Sequence, residues 1–188
     1  MSLAGKSVSG DSSKGERTMV KLIAKVAHQD LTGAPVEFNV IEVDEEVVMF
    51  DAPLTNTHRY WVPATVEIDD EEEYLEPVDD PDYNFRMDFA LYRKRYHFLL
   101  PDEIKLARKQ LGLTVREIGV VLEIDPQQLT EIEDNVALQS FDQEVKLAWL
   151  TKRGLFAEIV DGHRELIRER CARYGVNADD LFKQVLHS

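Results

Sequence analysis

The sequence predicts an α+β protein, with an N-terminal small β-rich module and an all-helical C-terminal half. Three observations carry this. Between residues 18 and 68 the pattern is strand-like, alternating in part at first and cleanly over 36–43. From Pro101 onward apolar residues recur every three to four positions. An acidic, proline-bearing stretch that supports neither period lies between them. The expected organisation is a disordered tail over 1–17 and the β-rich module over 18–68. An acidic linker and a basic/aromatic connector then occupy 69–98. A helical domain covers 99–154, and further C-terminal helices cover 155–188.

The tail "MSLAGKSVSGDSSKGER" is rich in Ser, Gly and Lys and offers nothing to bury. "TMVKLIAKVA" then alternates in part and predicts Val20, Leu22 and Ala24 on one face of a strand. "DLTGAP" is turn material. In "VEFNVIEV", Val36, Phe38, Val40 and Glu42 oppose Glu37, Asn39 and Ile41. With "DEE" read as a turn before "VVMF", residues 36–50 predict a hairpin. "RYWVPATVEI" is a further β-rich run, and Pro63 within it suggests an edge or a bend. Three to five strands are expected.

Residues 69–84, "DDEEEYLEPVDDPDYN", hold nine acidic residues and two prolines. They read as a solvated linker, or as an acidic arm that docks on a basic partner or mimics phosphates. "FRMDFALYRKRYHF" reverses the charge. Arg86, Arg93, Lys94 and Arg95 stand among Phe85, Phe89, Tyr92, Tyr96 and Phe98. Such interleaving is one format for nucleic-acid binding. More often such a stretch packs its rings in a core and solvates its charges, and it can pair with the acidic run before it.

Helical signals follow in order. Pro101 suits a first helical position, with Asp102 and Glu103 complementing the dipole. Gly112 ends that helix. Thr114 with Glu117 makes a capping box for the next, whose inner face is Ile118, Val121 and Leu122. Asp125 and Pro126 open a third helix, with Leu129 and Ile132 facing inward. Ser140 caps a fourth. A long amphipathic helix is expected over 156–174, interrupted at Gly162, where a kink would fall. It serves either as packing or as a dimer interface. Asn177 caps a last short helix.

Composition narrows the function. The chain carries 36 acidic against 22 basic residues, a formal net charge of −14, which favours solubility and basic partners. No run approaches the ~20 apolar residues of a membrane helix. The N-terminus lacks the apolar segment of a secretory signal. One cysteine, Cys171, excludes internal disulfides and multi-cysteine zinc sites, and fits a reducing cytoplasm. The five histidines have no metal-ligand spacing, and neither a phosphate loop nor GxSxG occurs. No enzyme, metal or cofactor is expected.

The phrases "LLPDEIKLARKQLGLT", "REIGVVLEIDPQQLTEIED" and "LQSFDQEVKLAWL" carry a resemblance to the Cro/repressor-type, or XRE-like, helix-turn-helix family. It looks closest to MqsA-like antitoxin-regulators, over residues 99–154 only. The resemblance implies an all-α helix-turn-helix bundle with additional C-terminal helices. Its implied DNA-facing residues are Thr114, Arg116, Gln127, Gln128, Thr130 and Glu131. It also implies a structural ion pair between Arg108 and Glu133, which would neutralise one acid of the reading helix. Gln pairs bidentately with adenine, Glu accepts from cytosine N4, and Thr114 suits a phosphate.

Val115 stands where the family's phosphate-positioning Gln is usual, and Glu123 and Asn135 replace usual glycines. The implied function is a sequence-specific DNA-binding transcriptional regulator acting on double-stranded DNA as a homodimer. By the same resemblance it is the antitoxin of a toxin–antitoxin pair, repressing its own promoter, with a toxin or other basic protein as partner of the N-terminal module. The alternative is an acidic protein-interaction module, a partner inhibitor or DNA mimic, that keeps the frame without reading DNA.

Overall fold

The computed structural model describes residues 19–29 and 32–186. The expected tail over 1–17 lies outside them, as do Asp30 and Leu31 of the first turn. The class is α+β: a three-stranded antiparallel sheet and eight α-helices among the described residues. The chain divides into two compact units, Met1–Glu45 with Thr57–Leu75, and Glu46–Asn56 with Glu76–Ser188.

The strands β1 (Val20–Gln29), β2 (Pro35–Met49) and β3 (Ala52–Pro63) lie in the order β1-β2-β3, with the hairpin tip Glu46–Asn56 assigned to the second unit. The central strand is covered on both faces at its middle, so Asn39, Val40 and Ile41 are consecutive buried residues. Ile41, Val43 and Val62 form one small core, with Val20, Tyr60, Val66, Ile68 and Tyr74 packed against it. On β3, Trp61 meets Phe38 at 5.5 Å and His28 at 5.9 Å between ring centroids.

Two expectations for this sheet are corrected. A β-bulge between Leu22 and Ala24 shifts the register of β1 on β2. The half-buried positions are therefore Val20, Ile23 and Val26, while Leu22 and Ala24 are exposed. The second correction concerns residues 36–50, which form one strand and not a hairpin. The acids of "DEE" do not turn the chain; they bond across to β3. Asp44 accepts from Thr57 at 2.6 Å, and Glu45 lies 2.9 Å from His58 Nδ1 and 2.8 Å from Tyr60 Oη. The turn falls at Phe50 and Asp51, whose φ values of 46° and 64° give the double left-handed geometry of a tight hairpin.

The acidic stretch is tied to the sheet over its first part. A short 3₁₀ turn (Glu71–Glu73) leads to Tyr74, which stacks on Tyr60 at 5.1 Å, and Leu75 exchanges both backbone bonds with Trp61. The unit boundary thus falls after Leu75 rather than near residue 68.

The second unit holds α1 (Tyr83–Tyr96), α2 (Pro101–Gln110), α3 (Val115–Leu122), α4 (Pro126–Glu133), α5 (Phe141–Leu150), α6 (Arg153–Gly162), α7 (Arg164–Tyr174) and α8 (Ala178–Leu186). The helix expected over 156–174 is two helices that break at His163, directly after Gly162. One continuous core runs from Ile104 and Ala107 of α2 through Ile118, Leu129, Leu147 and Phe156 to Leu181 and Val185 of α8. Within it α2 packs on α4 and α5, α3 packs on α4 and α7, and α6 packs on α5 and α8.

The helix ends follow local chemistry. Thr114 Oγ1 accepts from the Glu117 amide, and Glu117 returns the bond from the Thr114 amide at 2.6 Å. Ser140 and Gln143 make the same reciprocal pair. Asn177 Oδ1 accepts from the amides of Asp179 and Asp180. No helix among the described residues is long and apolar enough to cross a membrane.

Candidate nucleic-acid interface

The turn from α3 to α4 is only three residues, Glu123 to Asp125, and its chemistry fixes the approach of the two helices. Glu123 ends α3 in the left-handed region at φ 53° and donates its amide to the Gly119 carbonyl. Ile124 is buried and donates to the same carbonyl at 3.2 Å. Gly119 is the crossing point. A Cβ there would stand 2.7 Å from the Ile124 carbonyl oxygen and 3.1 Å from Pro126 Cγ. Backbone cannot yield as a flexible side chain does, so only glycine fits. Helix propensity alone makes Gly119→Ala favourable by about 1 kcal/mol. We expect the opposite sign, a loss of about 1–3 kcal/mol from overpacking, read as a lower urea midpoint at unchanged slope.

Asp125 caps α4. Its Oδ1 accepts from the Gln127 amide at 2.9 Å and the Gln128 amide at 3.1 Å. Pro126 has no N–H to offer. The first turn of α4 therefore has its free donors already occupied, and contacts from this end must come from side chains. Gln127 and Gln128 are both exposed. Gln127 Nε2 donates to Glu131 Oε1 at 3.0 Å one helical turn on. Thr130 is exposed, but its hydroxyl donates back to the Pro126 carbonyl at 3.0 Å. Thr114 is exposed with both its hydroxyl and its amide turned to Glu117. Arg116 donates to the carbonyl of Tyr174 at the end of α7, an otherwise orphaned acceptor.

Of the two acids of α4, Glu133 is neutralised within the unit, as is Asp134 at the helix C-cap. Glu133 is 5% exposed and receives a two-pronged grip from Arg108, Nε to Oε1 and Nη2 to Oε2, both at 2.7 Å. Arg108 Nη1 also donates to the Leu113 carbonyl at 2.9 Å. Hydrogen bonding to Glu133 holds the Arg108 pKa above its ordinary value, against the opposing pull of burial. Asp134 pairs with Lys105 at 3.0 Å, and that bond raises the lysine's pKa. Beyond the turn, Glu123 pairs with Arg170 at 2.6 Å. Glu131 and the capping Asp125 remain as the acids facing outward at this end.

The connector reaches the same helix from behind. Arg93, expected to be solvated, is 1% exposed. Its Nε donates to Gln139 Oε1 at 3.0 Å, Nη2 to the Ala137 carbonyl at 2.9 Å, and Nη1 to Asn135 Oδ1. These acceptors lie on the segment that leaves α4, where Asn135 has φ 60°. Gln139 in turn donates to the Leu99 carbonyl at 2.8 Å and to Glu144. The expected internal pairing of the connector with the acidic run occurs between Arg86 and Asp80. Sequence reading missed Gln139 and Tyr174, and placed Arg170 and Arg173 only on the polar side of the long C-terminal helix. The partners of Gln139, Arg170 and Tyr174 lie on other elements, and no local spacing announces them.

Cys171 is buried, and burial first, then Glu117, pushes its thiol pKa up, which leaves it unreactive as a nucleophile. Among the described residues no group of three or more His, Cys, Asp or Glu side chains is arranged to hold a metal ion. The chain was compared with protein-family models, with curated proteins and with solved structures, and none of them matches it.

Proposed function

We propose that α2–α5 form a helix-turn-helix of the Cro/repressor type, and that the protein is a cytoplasmic transcriptional regulator that binds operator DNA as a homodimer. In this reading the β-rich N-terminal module engages a protein partner. An antitoxin that represses its own promoter, with its toxin as that partner, is the most specific form. One observation carries the reading. The N-terminal end of α4 presents Gln127 and Gln128 to solvent, while Glu133 on the same helix and Asp134 at its C-cap are neutralised by Arg108 and Lys105. Thus the sequence's acids do not describe the charge that DNA would meet. The residual Asp125 and Glu131 keep affinity modest and make it depend steeply on salt.

A second reading has its own support. Both helix N-termini on this face, those of α3 and α4, already hold carboxylates, Glu117 and Asp125. An acidic face that binds a basic protein would be built in the same way.

Titration of fluorescent duplex from the chain's own upstream region separates the two. Binding at about 50 mM salt that falls by an order of magnitude or more at about 200 mM is the regulator's result. Gln127→Ala should then weaken the preferred duplex about 5- to 100-fold, as loss of a bidentate base contact does, and random duplex much less. Equal losses on both duplexes would remove base reading from Gln127. No binding at the lower salt would favour the protein-interaction reading.

A further inference from the structure

The α3–α4 turn and the end of α7 enclose an open cleft of about 370 Å³, of which the helix-turn-helix reading uses only Arg116. Three guanidinium groups line it, Arg116, Arg170 and Arg173, over apolar walls from Val120, Ile124 and Pro126. Two carboxylates also border it, and each is already engaged. Glu123 is paired with Arg170, and Asp125 is turned into the α4 cap. Arg116 is bound to the Tyr174 carbonyl. Arg173 is exposed and makes no hydrogen bond or ion pair among the described residues. The cleft therefore keeps one uncommitted guanidinium, beside two that are fixed in place.

We propose that this cleft is a phosphate-binding site, with Arg173 as its principal contact, and that it takes a backbone phosphate of the DNA bound by α4. The source of the phosphate rests on the regulator reading; the anion chemistry does not. Three features point to phosphate. Guanidinium forks match its oxygens in pairs. The apolar walls lower the local dielectric and strengthen the attraction. Position supplies the third: Pro126, which borders the cleft, directly precedes the exposed Gln127 in the chain. The bond from Arg116 to the Tyr174 carbonyl ties the end of α7 to α3, and so holds the cleft's two sides together.

The test uses the full chain and four proteins: unaltered, Arg173→Gln, Arg173→Lys and Gln127→Ala. Each is titrated with a duplex of about 20 base pairs over a range of salt. Arg173 is exposed, so its variants should melt with the unaltered chain, which thermal unfolding checks. The expected result is a 5- to 10-fold loss for Arg173→Gln on every duplex, with the log–log salt slope smaller in magnitude by about one. Arg173→Lys should keep the slope, and Gln127→Ala should keep it while losing sequence preference.

If Arg173→Gln binds with unaltered affinity and slope while Gln127→Ala weakens binding, the cleft proposal is overturned and the regulator reading stands. If the unaltered chain binds no duplex at about 50 mM salt, DNA is removed as the source. The second arm then decides. Inorganic phosphate that raises the melting temperature of the unaltered chain more than chloride at equal ionic strength, and not that of Arg173→Gln, retains a phosphate site for a small ester. No such difference overturns it.

Discussion

Arg108→Met should cost about 3–5 kcal/mol of unfolding free energy, because it leaves a carboxylate buried without its counter-charge. Glu133 is 5% exposed, and both its oxygens are held by Arg108 at 2.7 Å. Water cannot take over what the guanidinium gave. The pair itself need not be a large net contributor to stability, since two charges had to be stripped of water to form it. That distinction is measurable. Arg108→Met combined with Glu133→Leu removes both charges and fills similar volume, and it should recover most of the loss. A remainder of about 1 kcal/mol is expected, because the Leu113 carbonyl loses the bond from Nη1. Urea denaturation of the two single variants and the double variant closes the cycle. A loss below about 1 kcal/mol for Arg108→Met would mean that Glu133 is hydrated in solution, and the account of α4's hidden charge would fall with it.

That account shows which parts of the molecule can be read from the chain. The caps at Thr114, Asp125, Ser140 and Asn177 are legible because a cap and its amide lie two or three residues apart. Exposure of Gln127 and Gln128 follows from the same local logic, since Asp125 and Pro126 set where α4 begins. The buried Arg108–Glu133 pair was expected only through resemblance to a family; the charges alone give no sign of it.

Elsewhere the decisive partners are distant. A turn at Phe50–Asp51 carries none of the glycine or asparagine that left-handed φ values favour, and the pairing of the long strands β2 and β3 imposes it. The bulge beside Ile23 is set by register against β2, which the alternation of β1 alone does not contain. The α3–α7 cleft depends on residues about fifty positions apart, so no window along the sequence could hold it.

Arg93 is the extreme of this kind, and its replacement is the other large effect we expect. A stretch of arginines among aromatic rings gives no reason for one of them to be 1% exposed. Its three bonds go to neutral oxygens of Gln139, Ala137 and Asn135, so no single counter-ion offsets the burial. Desolvation accordingly pulls its pKa down to about 10, partly resisted by the charge of Glu144. It still carries its proton at neutral pH.

Arg93→Met strands these acceptors on the segment that leaves α4. A loss of about 3–5 kcal/mol is expected, the range for a broken buried polar network. Arg93→Lys keeps the charge but offers no planar fork to three oxygens at once, so it should recover less than half. The pH dependence has a definite sign. The folded-state pKa lies below the ordinary arginine value, so the cost of burying the charge is constant below about 10 and is relieved only as pH rises above that. Denaturation at about pH 6 and about pH 9 should therefore give the same gap between the unaltered chain and Arg93→Met. A lysine variant as stable as the unaltered chain would show that charge alone is needed. The guanidinium would then not be what fixes the exit of α4.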